Sequence, residues 1–199
     1  MNSAAKMRQV KILIYDGVEV LDFAGPFEVF AVTGQLNDPA PFEVTLVAEE
    51  LRPYVAVNGL KVLPNEVLSD VEYADIVVIP GGTGSKNEMR NPEILSWISN
   101  MLDNAEIMLT VCSGARFLAV LGALDNLSVV THHQVYEHIA ELAPAAILDK
   151  ESRFVDNGQI ITTGGISAGI DGAFHVVQRL LGEQTTLKTM QYMEYKAGY

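Results

Sequence analysis

Short apolar runs alternate along the chain with longer segments in which apolar residues recur at helical spacing. The apolar runs are rich in β-branched residues and end at glycine, serine or other turn residues, which is typical of buried strands. The predicted strands cover residues 10–16, 42–48, 74–82, 106–115 and 127–133, with a hairpin over 52–63 and two strands within 146–165 that meet at Asn157-Gly158. The predicted helices cover residues 20–35, 91–104, 116–121, 134–142 and 167–181, the last of these capped by Ser167, and a final helix starts at Thr185.

Strands that alternate with helices predict a parallel sheet covered on both faces. We therefore expect one α/β domain over residues 1–199, a Rossmann-like three-layer sandwich. Ligands of such folds bind beyond the carboxyl ends of the strands. Three strand ends are rich in small residues there: Gly81-Gly82, Cys112-Ser113-Gly114 and Gly164-Gly165.

Composition narrows the functional class. The 199 residues carry a formal net charge of −12, with 49% hydrophobic residues, which favours a globular fold and disfavours nucleic acid and anionic membranes as partners. The N-terminus lacks the apolar stretch of a signal peptide, and no 18-residue apolar run is present, so we expect a soluble, cytoplasmic protein. A single cysteine excludes an intramolecular disulfide bond.

That cysteine, Cys112, follows the run IMLTV and precedes Ser-Gly-Ala and a predicted helix. This is the arrangement of a nucleophile elbow, a tight turn that needs small neighbours and exposes the nucleophile at the strand end. The helix N-terminus is expected to favour the thiolate and to bring the pKa of Cys112 below its free value of about 8.5. The alternative is a buried, inert core cysteine, which is common for a lone cysteine.

Backbone N–H groups near this cysteine could stabilise a developing negative charge. Glycines allow the backbone to approach a substrate closely, so the pair Gly81-Gly82 could supply an oxyanion-hole donor beside that of Ser113. The alternative is an ordinary loop after a strand. The segment is neither a dinucleotide-binding fingerprint nor a phosphate-binding loop.

A catalytic acid or base is also needed. Asp22 lies among apolar residues in the segment LDFAGP, where its carboxylate is either partly desolvated or exposed at a helix start. Glu19 and Asp16 are competing candidates. Because side chains alternate along a strand, only one of His132 and His133 is expected to face the site.

The remaining two histidines, His138 and His175, are expected to be structural. No spacing in the sequence resembles a zinc site, and no metal or organic cofactor is implied.

Taken together, the segments LDFAGPFEV, PGG, VCSGA, TH and GGISAGID resemble the ThiJ/PfpI superfamily, with its amidotransferase-like, flavodoxin-type fold. The similarity is greatest to the subgroup of isonitrile hydratases and the sensor domains of AraC-type regulators. It implies that Cys112 is the nucleophile, that Asp22 is its acid-base partner and that Ser113 helps to bind the intermediate. It also implies that Gly165 and Ile166 line the pocket.

Two positions depart from the hydratase pattern: Ala24 replaces a common threonine, and His133 replaces a tryptophan that often follows the histidine. Both changes bear on the choice of substrate. The resemblance further implies a homodimer that acts on a small molecule. The regulators carry an additional helix-turn-helix domain, and we do not expect direct DNA binding here.

The function expected from this resemblance is hydration of an isonitrile to an N-substituted formamide through a cysteine thioimidate. One alternative is a ligand- or redox-sensing protein, because an exposed cysteine of low pKa oxidises readily. A second is a deglycase or amidase acting on small carbonyl compounds. That activity would favour glutamate at the motif position, where this chain has Asp22.

Overall fold

A seven-stranded sheet forms the centre of the computed structural model, which describes residues 6–196. Its strand order is β10-β11-β7-β6-β1-β2-β5, and every neighbouring pair is parallel except β10 with β11. The strands are β1 (Arg8–Leu13), β2 (Phe42–Ala48), β3 (Tyr54–Val55), β4 (Lys61–Val62), β5 (Glu66–Val67), β6 (Ile76–Ile79), β7 (Ile107–Val111), β8 (Ser128–Val129), β9 (Ile147–Leu148), β10 (Phe154–Asp156) and β11 (Ile160–Thr163). Strands β3 and β4 pair with each other, and so do β8 and β9, outside this sheet.

Helices cover the sheet and complete a three-layer α/β sandwich of the predicted flavodoxin-like type. They are α1 (Val20–Gln35), α2 (Ser85–Glu88), α3 (Pro92–Asn104), α4 (Ala115–Val120), α5 (Tyr136–Leu142), α6 (Ala168–Leu181) and α7 (Glu183–Tyr192). Helices α1, α6 and α7 pack on one another. Every residue of β6 and β7 is buried, as expected for central strands covered on both faces.

Several predicted elements differ from the structure at their ends. The strand predicted over 127–133 is reduced to β8, which pairs with β9 rather than with the main sheet. Segment 146–165 contains β9 as well as the two predicted strands, which meet at the expected Asn157-Gly158 turn. Helix α5 starts at Tyr136 and helix α7 at Glu183.

Ser167 occupies the position before helix α6, but the prediction that it caps the helix is wrong. Its side chain makes no capping hydrogen bond to the helix. Instead, Oγ of Ser167 accepts a hydrogen bond from the Arg153 guanidinium at 3.2 Å. The helix therefore begins without the side-chain cap that its sequence suggested.

Candidate active site

The predicted turn after β7 is present and places Cys112 at the carboxyl end of the sheet. Val111 is extended, Cys112 has a φ of 58°, and a short 3-10 turn leads directly into α4. A positive φ is unfavourable for a residue with a Cβ and persists only where the surroundings impose it. Here the N–H of Cys112 donates to the carbonyl of Gly164 at 3.1 Å, and its carbonyl accepts from Thr131 Oγ1 at 2.6 Å.

The small residues around this turn are required by close packing. A Cβ added to Gly114 would lie 2.0 Å from the carbonyl oxygen of Ile79 on the neighbouring strand. No side chain larger than hydrogen fits there unless the backbone moves. The Ser-Gly-Ala pattern therefore reflects contact between the turn and β6.

Asp22 lies in the first turn of α1 and is completely buried. Its Oδ2 accepts a hydrogen bond from the N–H of Gly81 at 2.9 Å. Its Oδ1 has no hydrogen-bond partner of normal geometry among the described residues. The carboxyl interacts with the Cys112 thiol and with the N–H of Ile166, so the acid and the sulfur face each other.

Burial changes the acidity of both groups. It raises the pKa of Asp22 from 3.8 to about 7, because the hydrogen bond from Gly81 only partly offsets the loss of water around the carboxylate. Burial and the neighbouring Asp22 raise the pKa of Cys112 to about 12. The expectation of a lowered thiol pKa is therefore wrong for this conformation, because these two effects exceed the helix N-terminal field.

The N–H groups of the Gly81-Gly82 pair have partners within the protein. The N–H of Gly81 donates to Asp22, and the N–H of Gly82 donates to Oγ of Ser113 at 3.0 Å. Neither is free for a substrate, contrary to the expectation that this loop supplies an oxyanion donor. The N–H groups that act on the sulfur are those of Ser113 and Ile166.

Ile166 lies in the loop before α6, with a φ of 54° and its side chain partly exposed. For a β-branched residue this backbone conformation is a genuine outlier. The conformation directs the Ile166 N–H towards Cys112 and Asp22. Its neighbour Gly165 packs against the ring of His132, where an added Cβ would lie 2.1 Å from Cδ2.

Both His132 and His133 line the cleft above the sulfur, contrary to the prediction that only one would. The strand ends at Val129, so strict alternation no longer holds, and the two rings lie 4.2 Å apart. Burial and His133 lower the pKa of His132. Nδ1 of His132 accepts the N–H of Gln134 at 3.3 Å, which leaves the proton of the neutral ring on Nε2.

Cys112 and Ser113 lie in the wall of an open cleft of about 530 Å³, whereas Asp22 and Gly81 are buried behind it. Its lining residues are Glu19, Gly82, Thr83, Lys86, Cys112, Ser113, Arg116, His132, His133, Gln134, Val135 and Ile166. Of the acids that competed with Asp22, Glu19 is in the lining and raises the pKa of Asp22. Asp16 instead forms an ion pair with Arg52 outside the cleft lining.

Sequence reasoning did not identify two residues near the Cys112 turn, Ser85 and Arg116. Oγ of Ser85 is hydrogen-bonded to Oγ of Ser113 at 3.0 Å and accepts from Nη1 of Arg116 at 2.8 Å. Nε of Arg116 donates to Nδ1 of His138 at 3.0 Å. The available signal was the position of Arg116 in the first turn of α4, directly after the Cys112 turn.

Within residues 6–196, no group of three or more His, Cys, Asp or Glu side chains is arranged to hold a metal ion. None of the helices in that part of the chain is both long enough and apolar enough to span a bilayer.

Several known proteins are similar to this chain in sequence or in structure. A model of the DJ-1/PfpI family matches residues 8–179. The isonitrile hydratase of Pseudomonas putida is 30% identical over 187 residues, which cover 94% of this chain and 78% of the hydratase. The glutathione-independent glyoxalase DJR-1.2 of Caenorhabditis elegans is 24% identical over 157 residues, 78% of this chain and 82% of the glyoxalase. The crystal structure of a ThiJ/PfpI family protein from Pseudomonas syringae superimposes with a TM-score of 0.87 at 24% identity, covering 100% of this chain and 80% of that one.

Proposed function

Because the chain belongs to the DJ-1/PfpI family, we propose that its cleft hydrates an isonitrile to an N-substituted formamide. Cys112 is the proposed nucleophile and Asp22 its acid-base partner. The observation that carries the proposal is a buried carboxylate that faces a thiol on a strained turn and has one oxygen without a regular hydrogen bond among the described residues. The 30% identity to an isonitrile hydratase supports the choice of substrate.

The raised pKa values define the resting state of this pair. The pKa is about 7 for Asp22 and about 12 for Cys112. As the pH rises through neutrality, Asp22 therefore loses its proton first, and Cys112 remains a neutral thiol. Asp22 therefore acts first as a general base. Because Cys112 loses its proton only as it attacks, the resting site does not have to stabilise a buried thiolate.

In the first step, the proton of Cys112 passes to Asp22 and the sulfur forms a bond to the terminal carbon of R–N≡C. Asp22 then delivers that proton to the same carbon, which gives the thioimidate R–N=CH–S–Cys112. Covalent catalysis divides one difficult addition into two easier ones. The N–H groups of Ser113 and Ile166 support the sulfur as charge develops on it.

In the second step, Asp22 takes a proton from water as the water oxygen bonds to the thioimidate carbon, and Asp22 then passes that proton to the nitrogen. The resulting R–NH–CH(OH)–S–Cys112 then loses its C–S bond. The hydroxyl proton returns to the sulfur by way of Asp22, which releases R–NH–CHO and the free thiol. One water is consumed, and no cofactor is required.

Turnover of a simple alkyl isonitrile, followed by mass spectrometry of the formamide, tests the proposal. Cys112→Ala and Asp22→Asn are expected to abolish turnover, and kcat/KM of the wild type is expected to rise with pH through about 7 as Asp22 ionises. Undiminished turnover by Cys112→Ala would exclude the cysteine as nucleophile. A methylglyoxal assay run in parallel tests the carbonyl alternative, which the glyoxalase relative represents.

The redox-sensing alternative has less support, because it calls for an exposed, ionised sulfur. Cys112 is only 7% exposed, and its pKa is raised. Mild peroxide is therefore expected to modify Cys112 slowly.

We further propose that the chain acts as a homodimer on a small molecule. Light scattering after size-exclusion chromatography would test the oligomeric state.

A further inference from the structure

The cleft wall carries a cation that forms no ion pair with an acidic side chain among residues 6–196. Arg116 is half-buried and lines the cleft on the first turn after Cys112. None of the ion pairs formed by residues 6–196 includes it. Arg116 therefore presents its charge to the cleft with no acidic side chain of the described residues paired to it.

Two neutral acceptors hold the guanidinium in place without cancelling its charge. Nη1 donates to the buried hydroxyl of Ser85, and Nε donates to Nδ1 of His138. Because Nδ1 accepts, the His138 ring is neutral, and burial with Arg116 lowers its pKa further. Arg116 keeps its proton in proteins, so the site presents a fixed positive charge.

The donors that remain are suited to an anion with two oxygens. Nη2 has no hydrogen-bond partner among the described residues, and Nη1 has a second hydrogen beyond the one given to Ser85. A carboxylate can accept from both nitrogens side by side. The guanidinium also interacts electrostatically with Cys112, so an anion bound there would lie near the nucleophile.

The other charged groups of the cleft differ from Arg116. Lys86 lines the same cleft but is exposed and has no ion-pair partner among the described residues. Among the described residues, Glu19 is the one acidic side chain in the lining. With the ionised Asp22 beside the sulfur, Arg116 and Lys86 balance two acids here, in a chain whose net charge is −12.

We propose that Arg116 forms an anion subsite that binds a carboxylate on the molecule attacked by Cys112. Resting on the proposed function, this subsite makes the preferred substrate class an isonitrile that bears a carboxylate, rather than a neutral alkyl isonitrile. The subsite itself depends only on the position of Arg116 beside the sulfur.

The test that does not depend on turnover compares two nearly isosteric alkylating reagents. Iodoacetate carries a carboxylate where iodoacetamide carries a neutral amide, and Cys112 is the sole cysteine, so mass spectrometry reports its modification unambiguously. Arg116→Gln is expected to lower the ratio of the iodoacetate rate to the iodoacetamide rate by about tenfold, as for loss of one charge-assisted contact. Arg116→Lys should retain part of the ratio.

Lys86→Gln is the matched control, because it removes one positive charge from the same cleft. It is expected to change the ratio by less than about twofold. An equal fall of the rate ratio in both variants would refute the subsite, because it would show that the overall charge of the cleft, rather than contact with Arg116, attracts the anion. An unchanged ratio in Arg116→Gln would also refute it. The iodoacetamide rate of each variant reports whether its cleft is still folded.

Two further measurements complete the design. If the buried thiol resists both reagents, titration of the Arg116 Nε–H resonance with acetate, and with acetamide as the neutral control, measures binding directly. A response to acetate alone supports the subsite, and no response to either refutes it. Turnover of isocyanoacetate and of its methyl ester separates the two proposals. Hydration of both compounds at equal kcat/KM would support the hydratase and refute the subsite. Faster alkylation by iodoacetate that depends on Arg116, without hydration of either compound, would support the subsite and refute the hydratase.

Discussion

Replacing Asp22 by asparagine should favour the fold more at alkaline pH than at acidic pH, while it removes the proposed catalytic base. The carboxyl is fully buried, its Oδ1 has no hydrogen-bond partner among the described residues, and burial raises its pKa from 3.8 to about 7. Asparagine keeps an oxygen for the N–H of Gly81 but never carries a charge. The variant therefore avoids the cost of a charged, poorly solvated group.

The size and direction of the effect follow from the two pKa values. A proton binds more tightly to folded Asp22 than to unfolded Asp22, so the stability linked to this group is fully present below about pH 3.8 and is lost as the pH rises through about 7. The complete loss is about 4 kcal/mol at about 1.36 kcal/mol per pH unit. About 2 kcal/mol of it falls between about pH 5.5 and about pH 8.5.

Urea denaturation of wild type and Asp22→Asn at those two pH values measures the effect. The difference in unfolding free energy between the proteins is expected to shift by about 2 kcal/mol in favour of the variant at the higher pH. Packing changes caused by the amide cancel in this comparison because they are present at both pH values. An unchanged difference would show that the pKa of Asp22 is not raised, and a shift in the opposite direction would show that the N–H donors outweigh desolvation.

Three further predictions concern the same site. Asp22→Asn should lower the pKa of Cys112, because the carboxylate helps to raise it; a titration of thiolate ultraviolet absorbance that shows no change would contradict this electrostatic coupling. Gly81→Ala should destabilise the fold by about 2 kcal/mol in urea denaturation, since the new Cβ would lie 2.5 Å from both N and Oγ of Ser113; a stability equal to wild type would mean that the loop moves freely. Ile166→Gly should raise the unfolding free energy by up to about 1 kcal/mol by relieving its positive φ, whereas Ile166→Ala, which retains a Cβ, should gain less; equal gains would argue against strain.

The central sheet and the turn at Cys112 could be predicted because local signals and tertiary structure agree there. The continuous apolar runs of β6 and β7 are typical of buried parallel strands, and they are buried. Small residues after Cys112 predicted a tight turn, and Gly114 is in fact pressed against Ile79. In both cases the deciding contact is local or lies between adjacent strands.

The acidity of the site could not be predicted in the same way. The predicted pKa of Cys112 included the effect of the helix N-terminus, which the sequence indicates. It did not include burial or the charge of Asp22, because both depend on how α1 packs against the strand ends. The paired orientation of His132 and His133 was missed for a related reason. Only the structure shows that β8 ends at Val129 and that alternation stops there.

The features that break local rules converge on one point of the molecule. Cys112 and Ile166 both have positive φ angles, and Asp22 is a buried carboxyl with an oxygen that accepts no regular hydrogen bond. Each is unfavourable by itself, yet the Ile166 N–H acts on both the sulfur and the carboxyl. A change of the Ile166 φ to a negative value would therefore move its N–H away from the site, and the same change at Cys112 would move the sulfur. Such conflicts with local preference are expected at functional sites, which agrees with the proposed reaction. Arg116, a charged group without an acidic partner among the described residues, is a further conflict of this kind in the same cleft.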